Sequence, residues 1–478
     1  MFPDCGWKAP DSLRIRAFDS QKRFTKTVHK NGSQKKFTKL IASEDYMKRI
    51  LLSLTIIASL LFALACQPSG TGGDKVRIGV FMSMTGDTAN FGISSVNGIK
   101  MAAGEVNKAG GINGKQIELL IEDDRSDASE AATIVTKFVT QDQVHAVLGE
   151  VASSRSIAAA PIAQNAKIPM LTPSSTNPEV TRKGDYIFRS CFIDPVQGAA
   201  IAQFGAKSLN AKRAALMVDR KNDYSTGLEK VINEVFTRLG GQIVVTQSYQ
   251  AGDQDFNAQI TSIKGANPDV IFVPGYYGDV ALFAKQARDK GITVPLVGGD
   301  GWDSPSLYKI GGSALDGCYF SNHYSPDDAD PLVQKFVTDF KTLYGTVPDA
   351  LAATAYDAAR IMFDAIKRAN SLDGAAIRQA LADTKEFPGV TGKVTFNENR
   401  DAVKPIVMVK IEPGGKFVVA ERVQVEGAAM PTTTTTASPA AAVSPAAPAA
   451  GASPAAATKP GKTASPAGAK SPTTTATP

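Results

Sequence analysis

The sequence predicts an α/β protein of two similar lobes, each a Rossmann-like parallel sheet with helical crossovers, and three observations predict it. Between Ser69 and Glu426, short apolar, β-branched runs alternate with longer stretches whose apolar residues recur at three and four, and strands spaced by helices make parallel sheets. The alternation then runs a second time. Finally, every polar cluster of chemical interest follows a predicted strand, and open α/β sheets hold their ligands beyond the carboxyl ends of strands.

Taken in order, residues 76–81 (VRIGVF) form the first strand and residues 96–106 a helix. Strand signals follow at 116–121 and 144–148, with helix signals at 128–139 and 156–164. The strand–helix–strand of residues 119–149 is echoed by Ile243 to Thr246, a helix from Phe256, and Asp269 to Gly275. The polar clusters are Ser153-Ser154, then Ser174 to Thr176, Tyr276-Tyr277, and Asp300-Gly301-Trp302 after residues 294–297.

The two ends differ from this body. Residues 1–46 carry ten Lys/Arg against five acids without periodicity, and are expected to be a mis-called leader ahead of a true start at Met47. Residues 47–65 pair Lys48-Arg49 with the uncharged run ILLSLTIIASLLFALA, too short for a comfortable membrane span, so they predict a secretory signal. Ala63-Leu64-Ala65-Cys66 resembles a bacterial lipobox, which implies lipidation of Cys66 and attachment to the cell membrane, with 66–74 as a linker. Residues 426–478 are dominated by Pro, Ala, Thr and Ser and are expected to stay extended and solvated.

Of the net charge of +6, the leader holds +5, Lys48 and Arg49 +2 and residues 431–478 +3, leaving −4 on residues 50–430. The folded part has no basic stripe with interleaved aromatics, so nucleic acid is not an expected partner. It has no G-x-G-x-x-G, P-loop or Cys/His metal spacing, so no cofactor or metal is expected. GEVASSRS is not a G-x-S-x-G elbow, His145 lies in an apolar strand, where a lone His is most often a core residue, and His323 lies near a predicted lobe crossing, so an enzyme is not expected. Cys191 and Cys318 are expected to remain unbridged.

Several stretches in one order, IGVFMSMTGDTANFG, GGINGK, GEVASSRS, TPSSTNPE, DYSTG and GGDG, resemble the periplasmic branched-chain amino-acid binding proteins of ABC transporters over roughly residues 75–425. The resemblance implies the type I periplasmic-binding fold, with a three-crossing hinge. Lobe one would hold about 75–194 and 324–403, and lobe two about 195–323 and 404–425. It implies a monomer that delivers an amino acid to ABC permease subunits, or a tethered sensor of small amides, urea or organic acids.

It also implies a site. Ser153, Ser174 and Thr176 match the positions that grip the ligand carboxylate, as hydroxyls and backbone N–H groups at a helix entrance hold anions without a buried cation. The alternative is that these residues only cap helices. Asp300 matches the acid that neutralises the ammonium, where the family more often has Glu, and Tyr224 and Tyr276 match its second-lobe tyrosines. Phe91, Trp302 and Leu351 are the candidates for the side-chain pocket, with plain core packing the alternative for Trp302.

Overall fold

In the computed structural model of the protein the described residues are 75–423. The leader, the signal segment with Cys66 and the tail lie outside them.

Lobe one begins with β1 (Val76–Met82), α1 (Ala89–Lys108), β2 (Ile117–Asp123) and α2 (Ala128–Lys137). It continues through β3 (Ala146–Leu148), α3 (Ser153–Asn165), β4 (Met170–Thr172), α4 (Glu179–Arg182) and β5 (Ile187–Arg189). Its sheet has the order β2-β1-β3-β4-β5, parallel throughout. Because helices cover both faces, β1 reads as an almost unbroken apolar run and is buried along nearly its whole length.

Lobe two runs from α5 (Asp194–Gln203) through β6 (Arg213–Asp219), α6 (Asp223–Arg238), β7 (Gln242–Tyr249) and α7 (Asn257–Ala266). Next come β8 (Val270–Phe272), α8 (Tyr277–Asp289), β9 (Leu296–Gly298), α9 (Pro305–Gly311) and β10 (Tyr319–Asn322). The chain returns to lobe one for α10 (Pro331–Tyr344), α11 (Ala350–Ala369), α12 (Gly374–Ala382) and the short hairpin β11 (Phe387–Gly389) with β12 (Gly392–Val394). It ends in β13 (Ile406–Glu412) and β14 (Lys416–Val423).

The second sheet has the order β14-β13-β10-β9-β8-β6-β7. Strands β7 to β10 are parallel, but β13 joins β10 antiparallel and β14 folds back on β13. The segment that returns to lobe two after residue 404 is therefore a hairpin. Its turn is Pro413-Gly414-Gly415, and both glycines have positive φ, the backbone state that a tight reversal demands. The chain passes between the sheets after Arg189, after Asn322 and after Asp401.

Helices α1 and α11 pack closely on one face of the first sheet. Gly98 permits it, since a Cβ there would sit 2.2 Å from the Ala352 carbonyl oxygen. Cys191 and Cys318 are buried free thiols.

Candidate functional site

Two lobe-one loops carry the hydroxyl clusters, and they are tied together by Glu150. Its carboxylate accepts from Ser83 N–H at 3.0 Å and from Ala152 N–H, and pairs with the Arg155 guanidinium at 3.1 Å. Arg155 also pairs with Asp124 at 3.8 Å. Burial, with the Glu150 charge beside it, pushes the Asp124 carboxyl up to about 7. The cluster anchors α3 from behind. Sequence reasoning missed it, although an acid and an arginine flanking two serines was a visible signal.

The four hydroxyls of 172–176 divide into two kinds. Thr172 and Ser175 are structural: both donate to the Glu150 carbonyl, and Ser175 also reaches Ser156 at 2.7 Å. Ser174 pairs with Thr354 of α11 at 2.7 Å. Thr176 is 1% exposed, and its hydroxyl has no hydrogen-bond partner. Ser153, the first residue of α3, accepts the Asn177 N–H at 3.2 Å and so joins the two loops. Neither Ser153 nor Thr176 caps a helix: α3 begins after Ala152, which makes no side-chain cap, and it is Asn177 that accepts the Glu179 N–H at 2.9 Å.

Lobe two presents Asp300 at the end of β9, in the single turn Asp300–Trp302. The residue is 5% exposed. Its Oδ1 accepts from Gln197 Nε2 at 2.6 Å and from the Tyr224 hydroxyl at 2.9 Å, while Oδ2 lies 2.8 Å from His323 Nε2. Tyr224 in turn accepts the Gly301 N–H at 3.2 Å and stacks on Tyr276 with centroids 5.4 Å apart. The glycine before the acid has a steric reason: a Cβ on Gly299 would stand 2.2 Å from the Tyr224 oxygen. Contacts to both oxygens hold this buried carboxylate in one position.

The lobes meet around this point. Phe91 of α1 lies edge-on to Tyr276 and Tyr277, with centroids 5.6 and 5.1 Å away. Ser154 of α3 accepts the Asp223 N–H at 3.0 Å, Asn177 donates to the Asp223 carbonyl at 2.8 Å, and Asn90 donates to Ser306 at 2.6 Å. Between them lies a cavity of about 10 Å³, lined by Phe91, Val151, Ser174, Tyr224, Tyr276, Asp300, Gly301 and Leu351. A space of one water's size admits no amino acid, so loading requires the lobes to part. A larger cavity, about 730 Å³, lies on the outer face of lobe one between α1, α10 and α11. Volume therefore does not mark the site; the convergence of buried polar groups does.

The structure brings together Phe91, Ser174, Tyr224, Tyr276 and Asp300, with Ser153 and Thr176 in the adjoining loops. Trp302 corrects the sequence reading. Its indole is fully buried, donates to the Val273 carbonyl at 3.0 Å and packs against Gly298 and Phe320, so it belongs to the core behind the acid. Leu351, the aliphatic candidate, does line the cavity.

Gln197 and His323 were missed as site residues. His323 is buried and stacked on Phe192 at 3.9 Å, and its free edge reaches Asp300. The signal for Gln197 was a glutamine in the first turn of α5, directly before the small and apolar run GAAIA.

Residues 75–416 match the periplasmic binding protein family. A Leu/Ile/Val-binding protein of Rhizobium johnstonii is 30% identical over 372 residues, covering 77% of this chain and 99% of that one. Among solved structures, a leucine binding protein from Thermotoga maritima is 41% identical with a TM-score of 0.70, covering 73% of this chain and 99% of its own. A branched-chain amino acid transporter substrate binding protein from Streptococcus pneumoniae, in complex with isoleucine, is 35% identical with the same coverages and a TM-score of 0.70. The lobes, their parallel sheets and these likenesses together make the fold type I, and the chain belongs to the periplasmic binding protein family, alongside the branched-chain amino-acid binding proteins.

Proposed function

We propose that the protein captures an α-amino acid with an apolar side chain, of the branched-chain class, between its lobes and delivers it to an ABC permease. The observation that carries this reading is the pairing, across one closed cleft, of a buried three-donor carboxylate on lobe two with hydroxyl loops on lobe one. Asp300 suits an ammonium, and the Ser153, Ser174 and Thr176 loops suit a carboxylate. Phe91, Val151 and Leu351 make the remaining wall apolar, which suits an aliphatic side chain. The likeness to an isoleucine complex supports the same class. None of these roles is chemical conversion, and the reading is of a carrier, not an enzyme.

Thermal-shift and calorimetric titration with leucine, isoleucine and valine against benzoate and urea test the ligand class. A ligand at a hundred times its Kd stabilises the fold by about 2.7 kcal/mol. Stabilisation by benzoate or urea alone would replace the amino-acid reading with the organic-acid or amide sensor. Delivery is tested by uptake of labelled leucine in cells lacking the gene. Export with lipid attachment through Cys66 is part of the proposal: Cys66→Ser should move the protein from the membrane to the soluble fraction, because the lipid on Cys66 is the anchor that this reading supplies.

A further inference from the structure

Asp194, the first residue of α5, is 1% exposed, and both of its carboxylate oxygens lack a hydrogen-bond partner. Its backbone N–H donates to the Thr176 carbonyl at 2.9 Å, so it sits directly against the one ligand-loop hydroxyl that is also unpartnered. Three orphaned buried polar atoms in adjoining residues, beside a binding cleft, call for an account.

We propose that Asp194, as a neutral carboxylic acid, is a positioning residue for ligand capture: its O–H goes to Thr176 Oγ1, which turns the Thr176 O–H outward to the ligand carboxylate. The inference rests on the amino-acid reading above and deepens it. A hydroxyl has one proton to give and lone pairs to receive another. When the acid holds a proton, Thr176 receives from it and donates outward. When the acid is ionised, Thr176 donates inward, and the ligand carboxylate meets an oxygen lone pair with a buried negative charge behind it.

The groups around Asp194 favour the neutral form. Asp300 faces it from lobe two and Tyr224 from α6, where Gly227 leaves so little room that a Cβ would stand 3.0 Å from Asp194 Oδ2. The cation on the other side, Arg189 of β5, is already engaged by Asp401 at 2.6 Å, by the Ser175 and Asn177 carbonyls at 2.5 and 2.8 Å, and by Thr181 at 3.1 Å. Asp401 lies beyond Arg189, and His323 beyond Asp300. Burial, opposed by the Thr176 hydroxyl, pushes the Asp194 carboxyl up to about 8. The proton is therefore present through neutral pH and lost above it.

The test is calorimetric titration of leucine into the protein, Asp194→Asn and Asp194→Ala between pH 6 and 9. With the acid half ionised near pH 8, unmodified protein should bind leucine about tenfold more weakly at pH 9 than at pH 7, beyond any change shared with the asparagine variant. Asp194→Asn keeps a permanent donor to Thr176, so it should hold near-normal affinity and lose that extra pH dependence; titration of leucine's own ammonium is common to both. Asp194→Ala should bind weakly at every pH, with thermal melts confirming a folded protein. An asparagine variant that follows the unmodified protein's pH profile, or that loses tenfold or more at pH 7, overturns the proposal and leaves the amino-acid reading intact. Failure of the unmodified protein to bind leucine at any pH takes down both.

Discussion

The two lobes bring opposite chemistry to one cleft. Lobe one offers hydroxyls and backbone amides with its cation, Arg155, tied behind them by Glu150 and Asp124; lobe two offers one carboxylate fixed by three donors. Each half alone would hold only one end of a zwitterion. On the proposed reading, a ligand carrying both groups is what would couple closure to occupancy, since it would interact more strongly with the closed arrangement than with either open lobe. The comparison also separates two buried acids at the same junction. Asp300 has partners on both oxygens, whereas neither Asp194 oxygen has a hydrogen bond of good geometry, and burial pushes the Asp194 carboxyl up to about 8.

The largest effect should come from the core behind lobe two's acid, not from the cleft. Trp302→Ala leaves a void among fully buried neighbours and abandons the Val273 carbonyl, so it should destabilise the protein by about 3–5 kcal/mol in chemical denaturation. The milder Trp302→Phe should bind leucine with affinity within a few-fold of normal. A selective loss of affinity with unchanged stability would return Trp302 to the ligand pocket.

Next in size is the charge itself. Asp300→Asn removes one partner of a pair that closure buries, at a cost of about 2–5 kcal/mol. Leucine affinity by calorimetry should fall at least roughly 30-fold, at about 1.4 kcal/mol per decade. A carboxylic acid without an ammonium should bind the variant as well as the unmodified protein or better, and equal leucine affinity in both proteins would reduce Asp300 to a turn residue. On lobe one, Thr176→Ala removes a neutral donor and should cost about 1–3 kcal/mol, for amino acid and carboxylic acid alike. The two variants together ask whether charge and hydroxyl really sit on separate lobes.

Much of this was legible in the sequence because it is written locally. Parallel strands buried on both faces leave continuous apolar runs such as VRIGVFM, and the loops after them declare themselves by hydroxyls and glycines. GGDG pointed to Asp300, and its glycines proved to make room for Tyr224 and Trp302. What stayed hidden depends on distance along the chain. Asp300 meets Gln197 and His323 only because α5 and the second crossing converge on it, and neither residue sits in a motif. Trp302 stayed open between pocket and core for the same reason, since adjacency to the acid does not say which way an indole points. The terminal hairpin was legible in Pro413-Gly414-Gly415 and simply went unread.

The smallest effect should come from the lips of the cleft, where the comparison between lobes becomes a contact between them. Ser154 accepts the Asp223 N–H at 3.0 Å, and Asn177 donates to the Asp223 carbonyl at 2.8 Å, so one lobe-two residue is held at both backbone groups by lobe one. These bonds exist only when the lobes are together, and a single neutral hydrogen bond contributes about 0.5–1.5 kcal/mol net. Ser154→Ala should therefore weaken leucine binding by no more than about tenfold. The loss should fall on the dissociation rate, because approach to the open cleft does not involve the lip while leaving requires it to break. Stopped-flow fluorescence separates the two rates. A slower association with unchanged dissociation would mean that Ser154 guides the open lobes rather than latching the closed ones.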